Sequence, residues 1–464
     1  RGDISSIIKQ KNDYYIGFKS SGLIQLKYLP DSKVKYAIQS INIQSGIFCL
    51  MKDRFQDIIW VGADGQGIYM YFTDEFSIEN VLLDVPEYRV NNPVRALFLD
   101  HEQTLWIGTK GGGILRMMDF HPDRETLPQA ERILANNSAL MDNSVYSFAP
   151  GRRNSLWIGT EDGLNYYSYL TKRIEEFPVI ADGKKVKYVH SICETNDSTL
   201  WVVSAGEGIV KITLEASSSL PKVKSAQRFT LDGGKRNSNY FFVSYQENDS
   251  TVWFGNRGYG AYRMNTRTNQ LTPCRIDDVV KNQTVNDIFA IHKNDEGYWF
   301  GTSFGLTRLY QGEYRVYNET DGFPNNTIHG ILEGRDNNLW LSTNQGMVRF
   351  NVRENTVQTY RQQGDLEVIE FSDGAFFKDQ QTGTLFFGGT NGFITITEND
   401  HMSEEYMPPL HFNRLSIFGK ECNIYDFLQG PKKLWCLTIA RTSSICLFWQ
   451  SIISMAIIIL TLIR

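Results

Sequence analysis

The sequence predicts an all-β protein: a seven-bladed β-propeller of four-stranded antiparallel blades, preceded by the last blades of a second propeller. Three observations carry this. A short apolar strand with an aromatic residue and a glycine-bearing turn recurs nine times, at Tyr15, Trp60, Trp106, Trp157, Trp201, Trp253, Trp299, Trp340 and Phe386. The spacing stays between 41 residues (Trp299 to Trp340) and 52 (Trp201 to Trp253). Between copies lie short alternating strands separated by Gly, Asp and Asn turns. A period in the forties built from strand and turn chemistry is the sequence mark of a propeller.

The unit from Asn143 to Phe177 shows the logic of each strand. Val145-Tyr146-Ser147-Phe148-Ala149 alternates between polar turns and predicts an inner strand. Leu156-Trp157-Ile158-Gly159-Thr160 is the second, and Glu161-Asp162-Gly163 the turn that follows. Leu164-Asn165-Tyr166-Tyr167 makes the third strand and Arg173-Ile174-Glu175-Glu176-Phe177 the outer fourth. The Trp is read as a large ring packed between blades, and the glycines after it as residues free to take φ > 0 in a tight turn. Propellers close with about four to eight blades, so nine repeats exceed one ring. Seven motifs, Trp106 to Phe386, fill a propeller over 88–400. Tyr15 and Trp60 then make 1–87 the C-terminal blades of a truncated first propeller.

Composition narrows the function. The chain of 464 residues is 21% charged and 13% aromatic, with 38 glycines, which is a folded all-β composition. A net charge of −5 without a basic cluster excludes nucleic acid as a partner of this region. The six cysteines form neither CxxC nor a Cys/His group, so no metal, cofactor or disulfide framework is expected. No GxSxG, HExxH or P-loop occurs. His190 and His329 stand alone at strand starts. Glu161-Asp162 and Asp277-Asp278 are adjacent carboxylates whose side chains diverge, so no catalytic residue is predicted.

Leu105–Arg116, Leu156–Tyr167 and Tyr298–Leu309 resemble the two-component regulator propeller repeat, whose pattern is an Asp/Asn turn, LWIGT, a second turn and GL-x-R. Asn338-Leu339-Trp340-Leu341-Ser342-Thr343 and Glu296-Gly297-Tyr298-Trp299-Phe300-Gly301-Thr302 match it too. The weaker copies are Val202-Val203-Ser204 and Phe386-Phe387-Gly388-Gly389. The resemblance runs from about Asn12 to Ile396. It implies the periplasmic sensor region of a hybrid two-component system, in which paired propellers precede a small β-sandwich named for three tyrosines, then a membrane helix, histidine kinase and receiver. Such sensors detect oligosaccharides and control glycan-utilisation genes. The resemblance further implies a homodimer in the full-length sensor, contact with the membrane only through the downstream helix, and no enzymatic activity in this fragment. A single-propeller enzyme resembling streptogramin lyase, or a protein-interaction propeller, is the alternative.

Met407–Lys420 resembles the opening of that sandwich, which places its start at 401–430. The apolar tail, 431–464, then departs from it. Read two nucleotides out of frame, Leu437–Arg464 admits codons for a sequence like the family's sandwich, so this segment is read as frameshifted, with a membrane anchor as the alternative.

Strand order places the loops leading into the inner strands and the turns between second and third strands at one end of the ring, around the channel mouth. The loops and strand starts bring Arg95, Tyr146, Tyr188, His190, Tyr240, Asn325, His329 and Glu370; the turns bring Lys110, Glu161, Arg257, Tyr259 and Phe304. Aromatic rings stack on sugar C–H faces, while Asn, Glu and Arg hydrogen-bond hydroxyls or pair with acidic groups. The candidate ligand-binding set is Arg257, Tyr259, Tyr240, Tyr188, His190, Phe304, Asn325, His329 and Glu370. Gly255-Asn256-Arg257-Gly258-Tyr259-Gly260 stands out because it sets an Arg and a Tyr among glycines.

Overall fold

The computed structural model describes residues 2–398 apart from 11, 29–34, 42, 44, 55–57, 73–75, 123–127, 197, 217–219, 275, 277–282, 362–365 and 369. Beyond 398 it describes the strands Leu415–Ile417, Lys420–Cys422, Leu428–Gln429 and Leu434–Trp435 without their side chains. Apart from these strands, the predicted sandwich start and the tail lie outside the described residues.

The chain divides into two units, one of 1–73 with 401–464 and one of 74–400. In the larger unit each repeat folds as the sequence pattern predicts. The second blade, for example, is Val145–Gly151, Ser155–Thr160, Gly163–Ser168 and Arg173–Phe177, in sequential antiparallel order. Seven four-stranded sheets of this kind occur among the described residues of the unit. Their inner strands are Val94–Leu99, Val145–Gly151, Val189–Asn196, Phe241–Asn248, Ile288–Asn294, Ile328–Glu333 and Phe371–Lys378. Each inner strand packs on the next, and the seventh packs back on the first, so the ring is closed.

The closing sheet corrects the expected boundary. Phe371–Lys378, Leu385–Gly389 and Gly392–Glu398 take their fourth strand from Phe76–Leu82, antiparallel to Gly392–Glu398 with Gly392 opposite Leu82 and Glu398 opposite Phe76. The strand lies in the segment assigned by spacing to the preceding blades, yet it belongs to the ring. Hydrogen bonds across this pair join the first strand of the unit to its last blade and cover the outer edge of Gly392–Glu398.

Two features of the repeat hold the blades together. Five motif tryptophans, Trp106, Trp157, Trp201, Trp299 and Trp340, are at most 1% exposed, which for large aromatic side chains is worth on the order of 2–3 kcal/mol each. Most indoles also find an acceptor: Trp106 Nε1 donates to Asp100 (2.8 Å), and Trp157 Nε1 reaches Glu194 of the next blade (2.7 Å). Trp201 Nε1 is buried without a hydrogen-bond partner among the described residues.

The second feature is the glycine after the aromatic pair, and it departs from expectation. It is not the residue that takes φ > 0; that role falls to the turn glycines, such as Gly113 (φ 75°) and Gly208 (φ 92°). The strand glycine instead leaves room for the neighbouring blade. A Cβ on Gly108 would stand 2.8 Å from Val145 Cγ1, one on Gly159 2.6 Å from Val189 Cγ1, and one on Gly255 2.7 Å from Ile288 Cγ2. Gly388 receives Val94 in the same way (2.6 Å), across the closure. At two seams the strand position is Val203 or Ser342 instead of glycine, and the next inner strand begins with Phe241 or Phe371.

The smaller unit repeats this grammar in a four-stranded sheet (Ile4–Gln10, Asp13–Phe18, Gly22–Tyr28, Tyr36–Ile41) and a three-stranded one (Ile47–Lys52, Ile58–Ala63, Gly67–Phe72). Gly17 receives Ile47 at 2.7 Å. Leu23 of the first sheet is 1% exposed, whereas the matching Ile68 of the second is 76% exposed.

Two predictions follow from blade packing. Gly159→Ala is expected to lower stability by about 1–3 kcal/mol through overpacking against Val189. A double-mutant cycle with Val189→Ala in urea unfolding should recover part of that loss, and strict additivity would refute the contact. A protein beginning at residue 88 should melt well below one beginning at residue 74 in scanning calorimetry, because it lacks Phe76–Leu82. Equal melting would show that the strand is dispensable.

Candidate functional site

The channel lining is set by an irregularity repeated in the inner strands. The ladder between first and second strands skips one residue: Arg95, Tyr146, His190, Phe242, Phe289 and His329 in the first six blades. Each skipped residue follows the apolar residue that enters the neighbouring blade. A bulge re-aims a side chain out of the alternating pattern. In the seventh blade the irregularity is longer and spans 372–375, with Gly374 at φ 74° beside the Arg95 and Tyr146 carbonyls.

Most of these residues contact the one from the neighbouring blade. The Arg95 guanidinium lies 5.9 Å from the Tyr146 ring centroid, and Tyr146 stacks on His190 at 4.3 Å with an interplanar angle of 11°. His190 meets Phe242 edge-on at 5.0 Å, and Phe289 lies 5.9 Å from His329. His329 Nδ1 hydrogen-bonds Asp373 Oδ1, and its Nε2 faces Asn344 Oδ1 at 2.6 Å. Asp373 Oδ2 sits 3.9 Å from Arg95, which brings the set back to its start.

The electrostatics follow from these contacts. Burial pushes His190 down to about 3, and the Arg95 charge adds to that effect. Burial also opposes the charged form of His329, yet the bond to Asp373 and its negative charge outweigh it, so its pKa is raised. The same pairing holds Asp373 low despite desolvation. Tyr146 is pushed up to about 12 by burial and by Glu161, which accepts its hydroxyl at 3.1 Å.

Backbone bonds tie the mouth together as the strand order predicts. Lys110 N donates to Pro93 O (3.0 Å), Ala205 N to Tyr188 O (3.0 Å), Arg257 N to Tyr240 O (2.9 Å) and Thr390 N to Glu370 O (3.1 Å). The candidate residues occupy different depths on this face. His190 and His329 are in the channel. Tyr188 and Tyr240 flank Arg236, at 5.8 and 6.0 Å from their ring centroids. Arg257 and Glu370 are exposed. Tyr259 and Phe304 pack against apolar clusters between blades, which leaves only part of each ring accessible. Asn325 Oδ1 accepts from Thr327 N at 2.9 Å, shaping its own loop. Phe242, Phe289 and Asp373 were not among the expected site residues. The signal for the first two was available, since each directly follows the first apolar residue of an inner strand, as Arg95 and Tyr146 do.

A separate cavity of about 280 Å³ lies among Phe98, His101, Arg152, Ser155 and Tyr169, beside the turns between first and second strands. Among the described residues no group of three His, Cys, Asp or Glu is placed to hold a metal, and no helix is long and apolar enough to cross a membrane.

The ring, its bulged inner strands and its loop-lined mouth define a β-propeller that presents side chains from every blade to one channel. The family model described as two component regulator propeller matches residues 89–111, 139–162 and 322–345. Each match runs through a mouth loop, an inner strand and the second strand to its turn. A histidine kinase named P4 from Formosa agariphila is 23% identical over 372 residues, covering 78% of this chain and 26% of the relative. Among solved structures, the extracellular domain of a hybrid two component system from B. thetaiotaomicron superposes with a TM-score of 0.59 at 22% identity, covering 90% of this chain and 54% of that one. A second such domain from the same organism gives 0.57 at 20% identity, covering 90% and 56%. Virginiamycin B lyase from Staphylococcus aureus gives 0.50 at 16% identity, covering 69% of this chain and 99% of the lyase. At these identities the structural likeness concerns the fold. The chain spans about half the length of those extracellular domains and about a quarter of the kinase.

The His190 environment gives a pH prediction. Its folded pKa lies below the unfolded value of 6.5, so its contribution to stability is present in full above 6.5 and declines as pH falls toward 3. His329, raised, acts in the opposite sense and loses its contribution as pH rises. His190→Phe should therefore lose less melting temperature than the parent between pH 7 and pH 4.5. An equal loss would mean that His190 protonates freely in the fold.

Proposed function

We propose that this chain is the extracytoplasmic, ligand-sensing region of a hybrid two-component sensor, and that it binds an oligosaccharide at the channel mouth. The observation that carries the reading is the bulge repeated in the inner strands, which turns polar and aromatic side chains of successive blades toward one channel. Packing alone would be served by regular strands. The two sheets of 1–73 are proposed as blades of a further propeller, since Ile68 exposes a position that is buried wherever a blade follows. The similarity to a histidine kinase and to extracellular domains of hybrid two component systems supports a sensor over an enzyme. In the full-length protein, which is proposed to be periplasmic in this region and dimeric, ligand binding would bias a downstream kinase through different affinities for two states. Glycan-utilisation genes are the proposed output.

Titration calorimetry of the chain against a panel of oligosaccharides tests this. Saturable binding without turnover, weakened by substitution of channel or mouth residues, is the expected result. Cleavage of a ligand by the isolated chain, or binding unaffected by any mouth substitution, would contradict it.

A further inference from the structure

Resting on the reading of the mouth as a saccharide site, two guanidinium groups with open hydrogen-bond donors narrow the class of saccharide. Arg95 lies among the inner-strand residues. Its side chain is 19% exposed, its Nε is buried without a partner, and among the described residues its guanidinium donates no hydrogen bond. Asp373 lies 3.9 Å away, beyond hydrogen-bond reach, and its other oxygen is held by His329. With one ring nitrogen bonded to a carboxylate and the other facing an amide oxygen, His329 favours its imidazolium form and offsets Asp373. Arg95 therefore keeps only a long ion pair with Asp373, at 3.9 Å, and its hydrogen-bond donors remain open to a ligand.

Arg236 repeats the situation nearer the surface. Its guanidinium lies within 6.0 Å of the Tyr188 and Tyr240 ring centroids and has no ion-pair partner among the described residues. Three acids of this face are engaged: Glu161 accepts from Tyr146, Asp162 is held by Lys185 and Lys187 at 2.7 and 2.8 Å, and Glu207 by Arg228 at 3.1 Å, while Glu370 is exposed at the mouth. A planar guanidinium fork with empty donors matches the paired oxygens of a carboxylate or sulfate. Tyrosine faces beside it suit the C–H face of a pyranose.

We propose that the saccharide recognised here is acidic, with one oxyanion seated on Arg95 in the channel and a second on Arg236 between Tyr188 and Tyr240. The oxyanion chemistry is shared by uronate carboxylates and sulfate esters, and separate probes distinguish them.

The test is calorimetry of the full chain with three probes of equal length: a uronate oligosaccharide, a sulfated one and a neutral one. One acidic probe should bind at least about tenfold more tightly than the neutral probe, with affinity falling as salt rises. Arg95→Met and Arg236→Met should each weaken it by about tenfold, and Arg95→Lys should restore part of the loss. Arg236 is exposed, so its variant keeps the proposal falsifiable if Arg95→Met fails to fold, as a melting curve would show. Equal binding of the neutral probe, unchanged in both Met variants, would overturn the acidic seat and leave the mouth reading standing. No binding by any probe would overturn both.

Discussion

The structure depends on a steric constraint: a glycine in the second strand of one blade must stay bare so that a branched side chain of the next blade can enter. Gly108 with Val145, Gly159 with Val189, Gly255 with Ile288 and Gly388 with Val94 bring adjacent backbones closer than a methyl group permits. The hydrophobic gain from burying Val or Ile is shared by two blades at each of these seams, while Val203 and Ser342 take the glycine position where the next inner strand begins with Phe241 or Phe371. Because Gly388 meets Val94, the same contact closes the ring, and Phe76–Leu82 fixes that closure with a ladder of backbone hydrogen bonds.

The constraint also shapes the channel. Once the first apolar residue of an inner strand is locked into its neighbour, the following residue cannot continue the alternation without leaving the ladder, and it bulges. Scaffold and site are thus adjacent residues with opposite duties: Val94 packs and Arg95 faces the channel, Val145 packs and Tyr146 faces it, Val189 packs and His190 faces it. A ligand that contacts these side chains acts on strands whose neighbours set blade spacing. This gives a sensor a physical route from channel contact to ring geometry.

The period of the Trp motifs made the blades legible, because strand and turn chemistry repeat locally and each blade is contiguous in sequence. Phe76–Leu82 was not legible as part of the ring. It follows three strands of the preceding sheet at the spacing of a fourth, and its partner lies more than 300 residues later. The strand glycines were legible as motif residues but not in their role, since close approach between blades leaves no mark on either strand alone. The mouth was anticipated from strand order, and Arg95, Tyr146, His190 and His329 were within view. Phe242 and Phe289 read as ordinary core by residue type, and only their position after the first apolar residue of an inner strand, shared with Arg95 and Tyr146, marks them. Asp373 was hidden in the longer irregularity of the seventh blade, where the repeat pattern is weakest.

Hydrogen exchange measured along the whole chain, with and without a saturating saccharide found to bind, is the most direct test of the central claim. The account predicts slowed exchange at the bulged inner-strand starts and mouth turns, around Arg95, Tyr146, His190 and Tyr240. The turns at the opposite end, around 150–155, should stay unchanged. Protection concentrated at those opposite turns, or confined to residues 2–72, would contradict a channel-mouth site and move the ligand elsewhere on the molecule.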